Sequence, residues 1–198
     1  RVLRLAENDL DVLVDGTGTP RVKTRTGNDD KGFYVATDVR NLASNTWEEH
    51  FRSHVKSRDV MEVVSVGSTP DTLVLRSNLG REVAALYEYN VRDRKVLGTL
   101  FEHKFFDASG VRLSGAADTN VAEGFDGFVY SGIYGTEVHW VNPKFDAVVK
   151  GMAPALGLKT IDQPLVDVVS GKRLDTKILD GAVISIVGHH NGPEPTYL

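Results

Sequence analysis

The residues best equipped for chemistry are a spaced pair of histidines and a doublet of glutamates. His50 and His54 stand four apart. On a helix they would share one face and could hold a metal; on a strand they would lie roughly 13 Å apart at about 3.3 Å per residue. No His-Glu-x-x-His pattern surrounds them, so solvated side chains are expected and no metal site or cofactor is assigned. Glu48 and Glu49 follow Trp47, and adjacent carboxylates can neutralise an ammonium group; the plainer reading is a charged face beside a buried tryptophan. His189-His190 could titrate near neutrality but lack a third partner, so a loop role is expected. Asp15-Gly16-Thr17-Gly18-Thr19-Pro20 is glycine-rich, yet it lacks the Lys-Ser/Thr ending of a phosphate loop and reads as a turn. The acidic turns Asp29-Asp30-Lys31 and Glu123-Gly124-Phe125-Asp126-Gly127 offer too few spaced oxygens for calcium. Val63-Val64-Ser65-Val66-Gly67 lacks the first glycine of a nucleophile elbow. With no cysteine, thiolate chemistry and disulfides are excluded. No complete catalytic constellation emerges.

The elements that must carry these residues are short strands. Apolar–polar alternation is broken by Gly, Asn, Asp and Pro, and four hairpins are predicted near 21–38, 72–90, 127–142 and 181–198. Each joins an apolar strand, a polar turn and a strand with aromatics. In the first three, the second strand runs into Asp38, Asn90 and Asn142, at intervals of 52 residues. A repeat near this length built of short strands is the signature of propeller blades, so an all-β fold over 1–198 is expected, a β-propeller fragment of about four blades. Tyr34, Tyr87, Tyr89 and Trp140 are expected to pack between blades. Two segments break the rhythm. Asn142-Pro143, followed by apolar residues at helical spacing, predicts one short inserted helix near 143–156. Thr46 to Val55 has a capping box and Trp47, Phe51 and Val55 every four residues, which favours helix locally. The blade arithmetic favours strand, and strand is the expectation adopted.

Leu73-Val74-Leu75-Arg76-Ser77-Asn78-Leu79-Gly80-Arg81-Glu82, followed by Ala84-Ala85-Leu86-Tyr87-Glu88-Tyr89-Asn90, resembles a propeller blade of the prolyl oligopeptidase family of serine peptidases. Leu100-Phe101-Glu102-His103 and Val138-His139-Trp140-Val141-Asn142-Pro143 look like the next stretch of the same propeller. The resemblance is clearest over residues 59–156. It implies a seven-bladed propeller that gates peptide access to an α/β-hydrolase domain, which would be the chief partner of this segment and would hold the catalytic serine, aspartate and histidine. It also implies a role for Glu48 and Glu49, because some aminodipeptidases of the family hold a substrate's free amine with a glutamate pair near a tryptophan. No triad residue carries over to any position here.

The alternatives are a binding or scaffold propeller without an enzyme, since the fold hosts unrelated functions, and a complete four-bladed or sandwich-like domain that binds a small ligand. The net charge of −4 argues against a nucleic-acid surface. No stretch approaches the roughly 18 apolar residues of a membrane helix, and the first residues lack the form of a signal peptide. The chain begins without Met and ends in a strand-like run, so a fragment is expected, with open blade faces that favour self-association. Neither compartment nor peptide preference is legible.

Overall fold

The structure, a computed structural model, describes residues 5–113, 124–133 and 135–155 and the strand segments 160–161, 166–167, 184–189 and 196–197. The fold is all-β, in antiparallel sheets of three and four strands with one short helix. The chain divides into two compact units, residues 1–110 with 116–123 and residues 111–115 with 124–198. Antiparallel strand pairs lie in the expected ranges 21–38, 72–90 and 127–142, and in the range 181–198 the described residues pair Ile186 with Tyr197 and Val187 with Thr196.

The first unit holds two successive meanders. Strands β1 (Asp9–Val14), β2 (Pro20–Asp29), β3 (Gly32–Asn41) and β4 (Thr46–His54) pair in sequence order. After a 3₁₀ turn at Val55–Ser57, strands β5 (Met61–Val66), β6 (Thr72–Ser77), β7 (Ala85–Asn90) and β8 (Lys95–Phe101) do the same. The sheets stack through apolar faces: Val22 and Val39 of the first meet Leu73 of the second, and Phe51 meets Leu75 and Tyr89. The Phe51 and Tyr89 rings are 4.8 Å apart. Beyond β8 the chain returns onto β7, where the Ala84 amide donates to Asp107 Oδ1 at 2.6 Å and the Ala108 amide donates to the Ala84 carbonyl at 2.9 Å.

Segment 46–55 settles as strand β4 over Thr46–His54. A lone helix there would hide its Trp47, Phe51 and Val55 stripe only partly. Pairing with β3 supplies a ladder of hydrogen bonds and sends Phe51 between the sheets, so tertiary burial overrides local spacing. Trp47 is half-buried rather than enclosed, with Lys23 Nζ 5.6 Å from its ring.

The repeat is real at the turns, but its anchor is displaced. Asp38 lies inside β3, opposite Lys23 and Glu49. The residue equivalent to Asn90 is Asn41, three positions further on. Asn41 Oδ1 accepts from the amides of Ala43 and Ser44, and Asn90 Oδ1 accepts from the amide of Asp93. Both turns close on a left-handed residue, Asn45 at φ 60° and Arg94 at φ 52°. An asparagine at the head of a turn supplies such a bond to the backbone, which is why the type recurs. The turn from β5 to β6 has its own constraint at Gly67, where a Cβ would come within 2.7 Å of the Thr72 backbone.

β9 (Ala108–Leu113), which crosses the boundary between the units, and β10 (Phe125–Gly132) and β11 (Gly135–Trp140) of the second unit form a sheet in the order β11-β10-β9. Here the repeat departs from the first unit. Asn142 leads into the helix α1 (Pro143–Ala155) in place of a fourth strand. The Asn142 carbonyl accepts from Asp146 N at 2.9 Å while its amide side chain donates to Asp126 Oδ1 at 2.9 Å. Pro143 takes the first helical position, where its missing N–H is harmless. Phe145 is buried and its ring lies 5.6 Å from that of Trp140. Four short strands follow, β12 (Thr160–Ile161), β13 (Val166–Asp167), β14 (Ile184–His189) and β15 (Thr196–Tyr197), with β14 pairing the other three. Among the described residues no helix is long and apolar enough to cross a membrane.

Candidate functional site

The two glutamates singled out by sequence do not form a pair. They are neighbours on strand β4, so their side chains leave opposite faces of the sheet. Glu48 lies opposite Val39, on the face that meets the second sheet. Its carboxylate accepts from Arg94 at 2.7 Å and from Asn41 at 3.4 Å, and the Arg94 hydrogen bond holds it below the usual carboxylate range. Glu49 lies on the far face. Arg52 grips it with two hydrogen bonds of 2.8 Å, Arg25 adds a third, and the Arg52 contact holds its carboxyl low. Both carboxylates are engaged by arginines, on opposite faces of the sheet.

Glu49 belongs to a ladder of ions that spans the far face of the first sheet. Arg25 Nε donates to Asp38 at 2.9 Å, Lys23 reaches Asp9 at 3.2 Å, and Arg52 reaches Asp29 at 3.0 Å. Arg52 also lies 4.0 Å from the Tyr34 ring. Tyr34 therefore does not pack between sheets as expected, whereas Tyr89 and Tyr87 do. The Asp29-Asp30-Lys31 turn is engaged in the same ladder, with Asp29 bound to His54 Nε2 at 3.0 Å.

His50 is parted from His54 by a bulge. Thr37 pairs with Phe51 and Asp38 with Glu49, leaving His50 without an opposite residue on β3. The bulge turns the imidazole toward β7, where Nδ1 lies 3.0 Å from the Tyr89 hydroxyl. Burial, reinforced by the charge of Arg94, pushes the His50 pKa down. Among the described residues no group of three or more His, Asp or Glu could hold a metal ion. Ser65 is buried within β5, not perched on an elbow. His190 and Glu123 lie outside the described residues.

The arrangement that sequence reading missed is a cleft of about 240 Å³ at one end of the two stacked sheets. It gathers Arg21 from the start of β2, Arg40 from the end of β3, and Arg92 and Arg94 from the turn between β7 and β8. Glu48 and Asp71 are the carboxylates in its wall, and Leu42, Ala43, Pro70 and Val91 give it an apolar side. His50 also faces it.

Each guanidinium is fixed by its own neighbours. Arg21 and Asp15 form a buried pair at 3.5 Å, their side chains 2% and 1% exposed. Asp15 also organises the turn from β1 to β2, accepting from Thr17 Oγ1 at 2.6 Å and from the amides of Thr17 and Thr19 at 3.0 Å. Burial alone would raise its pKa; those hydrogen bonds and Arg21 outweigh it and hold the carboxyl low. The expected turn at Asp15–Pro20 is thus a structural one that props the cleft. Arg92 meets Asp71 at 2.7 Å. Arg40 differs, since its Nε bonds Asn45 Oδ1 at 2.9 Å and its Nη1 bonds the Pro20 carbonyl at 3.4 Å, both neutral acceptors. Fixed guanidinium forks around a concave, partly apolar space are suited to holding an oxyanion.

A signal for this site existed in part: Arg40 and Arg94 each adjoin one of the two equivalent asparagine-headed turns. Compared with known proteins, the chain matches no family model, and neither the curated proteins nor the solved structures contain a significant match.

Proposed function

We propose that this chain is a binding scaffold of β-propeller type that carries no complete catalytic site of its own. The observation that carries the reading is the pair of successive four-stranded meanders, stacked through their faces and closed by the same asparagine-headed turn between third and fourth strands. One such sheet cannot bury both faces alone, and stacking another on it is the blade solution. The expected result is that the purified chain shows no turnover of small peptide esters or amides. Hydrolysis that copurifies with the chain and disappears when a residue of the chain is substituted would overturn the reading.

A second, narrower reading is that the scaffold gates peptide access to a serine peptidase of the prolyl oligopeptidase type. It is favoured by the stretch that carries the resemblance, since Leu73–Ser77 and Ala85–Asn90 form a hairpin at the place of a blade's second and third strands. In this reading the α/β-hydrolase domain is the partner and peptides are the substrates. Treating the product of the whole gene with a fluorophosphonate probe tests it. A labelled serine outside residues 1–198 is expected, and an unlabelled full-length protein would remove the peptidase and leave the scaffold.

A further inference from the structure

We propose that the arginine cleft of the first unit is a binding site for a monocarboxylate carried on a small apolar group, such as the C-terminus of a peptide ending in an aliphatic residue. The inference stands on the cleft alone and does not need the propeller reading. The argument begins with charge. Three of the four guanidiniums have a carboxylate partner: Arg21 has Asp15, Arg92 has Asp71 and Arg94 has Glu48. Arg40 has Asn45 and the Pro20 carbonyl. Among the described residues its positive charge is therefore oriented by neutral groups and has no acid partner. In a chain of net charge −4, that leaves one fixed cationic centre in a concave site.

Hydrogen-bond capacity agrees with charge. A guanidinium has five N–H donors. Three of those on Arg40 go to Asn45 and Pro20, so two N–H groups, one on each terminal nitrogen, are left for a ligand. Two oxygens of one carboxylate can take such donors. His50 adds no competing positive charge near neutrality, since burial and Arg94 disfavour its protonation.

Size and lining select the rest of the ligand. At about 240 Å³ the space is below the roughly 300–1,000 Å³ that holds a drug-sized molecule, so it suits a group of amino-acid size. The apolar side formed by Leu42, Ala43, Pro70 and Val91 would cover an aliphatic substituent. Phosphate fits less well. It brings nearly two negative charges and no apolar surface to a wall that already contains Glu48 and Asp71.

The test is titration of the intact chain with N-acetyl-leucine, N-acetyl-leucinamide and inorganic phosphate, followed by calorimetry or by amide NMR shifts. The acid is expected to bind, with the amide and phosphate each weaker by about tenfold or more. Arg40→Gln should lose about tenfold in affinity for the acid while the far-ultraviolet spectrum is unchanged. Should that variant fold poorly, Arg92→Gln serves. Its side chain is 77% exposed, so folding is spared, yet the substitution frees Asp71 to repel the acid and severalfold weaker binding is expected. Equal binding of acid and amide, tighter binding of phosphate, no binding at millimolar acid, or undiminished affinity in the folded arginine variants would each overturn the assignment.

Discussion

The two meanders of the first unit share a topology and differ in what covers them. In the second sheet, Thr72, Leu73, Val74 and Leu75 of β6 are buried one after another, and Leu86 on β7 is fully buried. Leu73 and Leu75 face the first sheet, so Val74 and, through its pairing with Arg76, Leu86 lie on the opposite side. Both faces are dry. In the first sheet only one face is. Val22, Val39 and Phe51 meet the second sheet, while the reverse side carries Lys23, Arg25, Asp38, Glu49 and Arg52 in ion pairs. A strand with two covered faces reads as an apolar run, and one with a wet face alternates. The first sheet thus presents a charged outer surface, so a neighbouring sheet packed on it would meet ion pairs in place of an apolar face.

The sharpest way to break this contrast is on the far faces. Leu86→Ala should destabilise the protein by about 2–5 kcal/mol, the cost of an emptied site in a packed interior. Denaturant unfolding of the variant measures it. Lys23→Gln, at the corresponding reverse side of the first sheet, is expected to cost no more than about 1 kcal/mol, because a side chain 19% exposed and loosely paired can be replaced by water. Equal costs at the two positions would show that the first sheet's far face is covered as tightly as the second's.

Between these limits lies Asp38, whose side chain is 10% exposed and accepts the Arg25 hydrogen bond at 2.9 Å. Asp38→Ala leaves Arg25 with Glu49 and Tyr34 and removes a charge-assisted bond, a loss of about 1.5–3 kcal/mol. The double variant Asp38→Ala/Arg25→Met should recover part of it, since a guanidinium deprived of its Asp38 partner is then no longer retained. Failure to recover would mean that the ladder contributes through its packing rather than its charges.

Acid should also separate the two sheets. Asp15, Asp29 and Glu49 all have folded pKa values held below their ordinary ones. A depressed carboxyl gives stability that is present above the unfolded pKa and is lost as pH falls through the folded one. These groups belong to the first sheet. Amide exchange in β2 to β4 is therefore expected to accelerate before that in β6 and β7 as pH falls from about 5. Simultaneous opening of both sheets would show that they unfold as one cooperative body.

How much of this was legible depended on whether the information was local. The hairpins were, since each is announced by its own turn: Asp29 bonds the Lys31 amide and Asn90 bonds that of Asp93. The helix after Asn142 was legible for the same reason. The repeat was visible but misplaced at Asp38, because Asp and Asn look alike as turn residues until pairing shows that Asp38 faces Lys23 and Glu49 inside the sheet. Glu48 and Glu49 are adjacent in sequence, yet neighbours on a strand face opposite ways, which only the pairing of β4 shows. The arginine cleft was hidden most deeply. Arg21 and Arg40 flank the Val22–Val39 pair of one hairpin, but Arg92 and Arg94 join them only when one sheet lies on the other, and no single stretch records that.

His50 joins the two sheets and offers the smallest but most specific test. Its ring leaves the β4 bulge and meets the Tyr89 hydroxyl of β7, half-buried and close to Arg94. Burial first, and Arg94 second, lower its pKa from the ordinary 6.5. The sign follows directly. The unfolded imidazole takes up a proton as pH drops through about 6.5, while the folded one resists until lower pH, so unfolding binds protons and stability falls in that window. His50→Gln keeps a group able to bond Tyr89 and removes the titration. Its melting temperature should change less between pH 7.5 and 5.5 than that of the unsubstituted chain. The difference is expected to be small beside that of Leu86→Ala. If both proteins respond alike, His50 is solvated rather than wedged between the sheets, and the bulge does not serve as their joint.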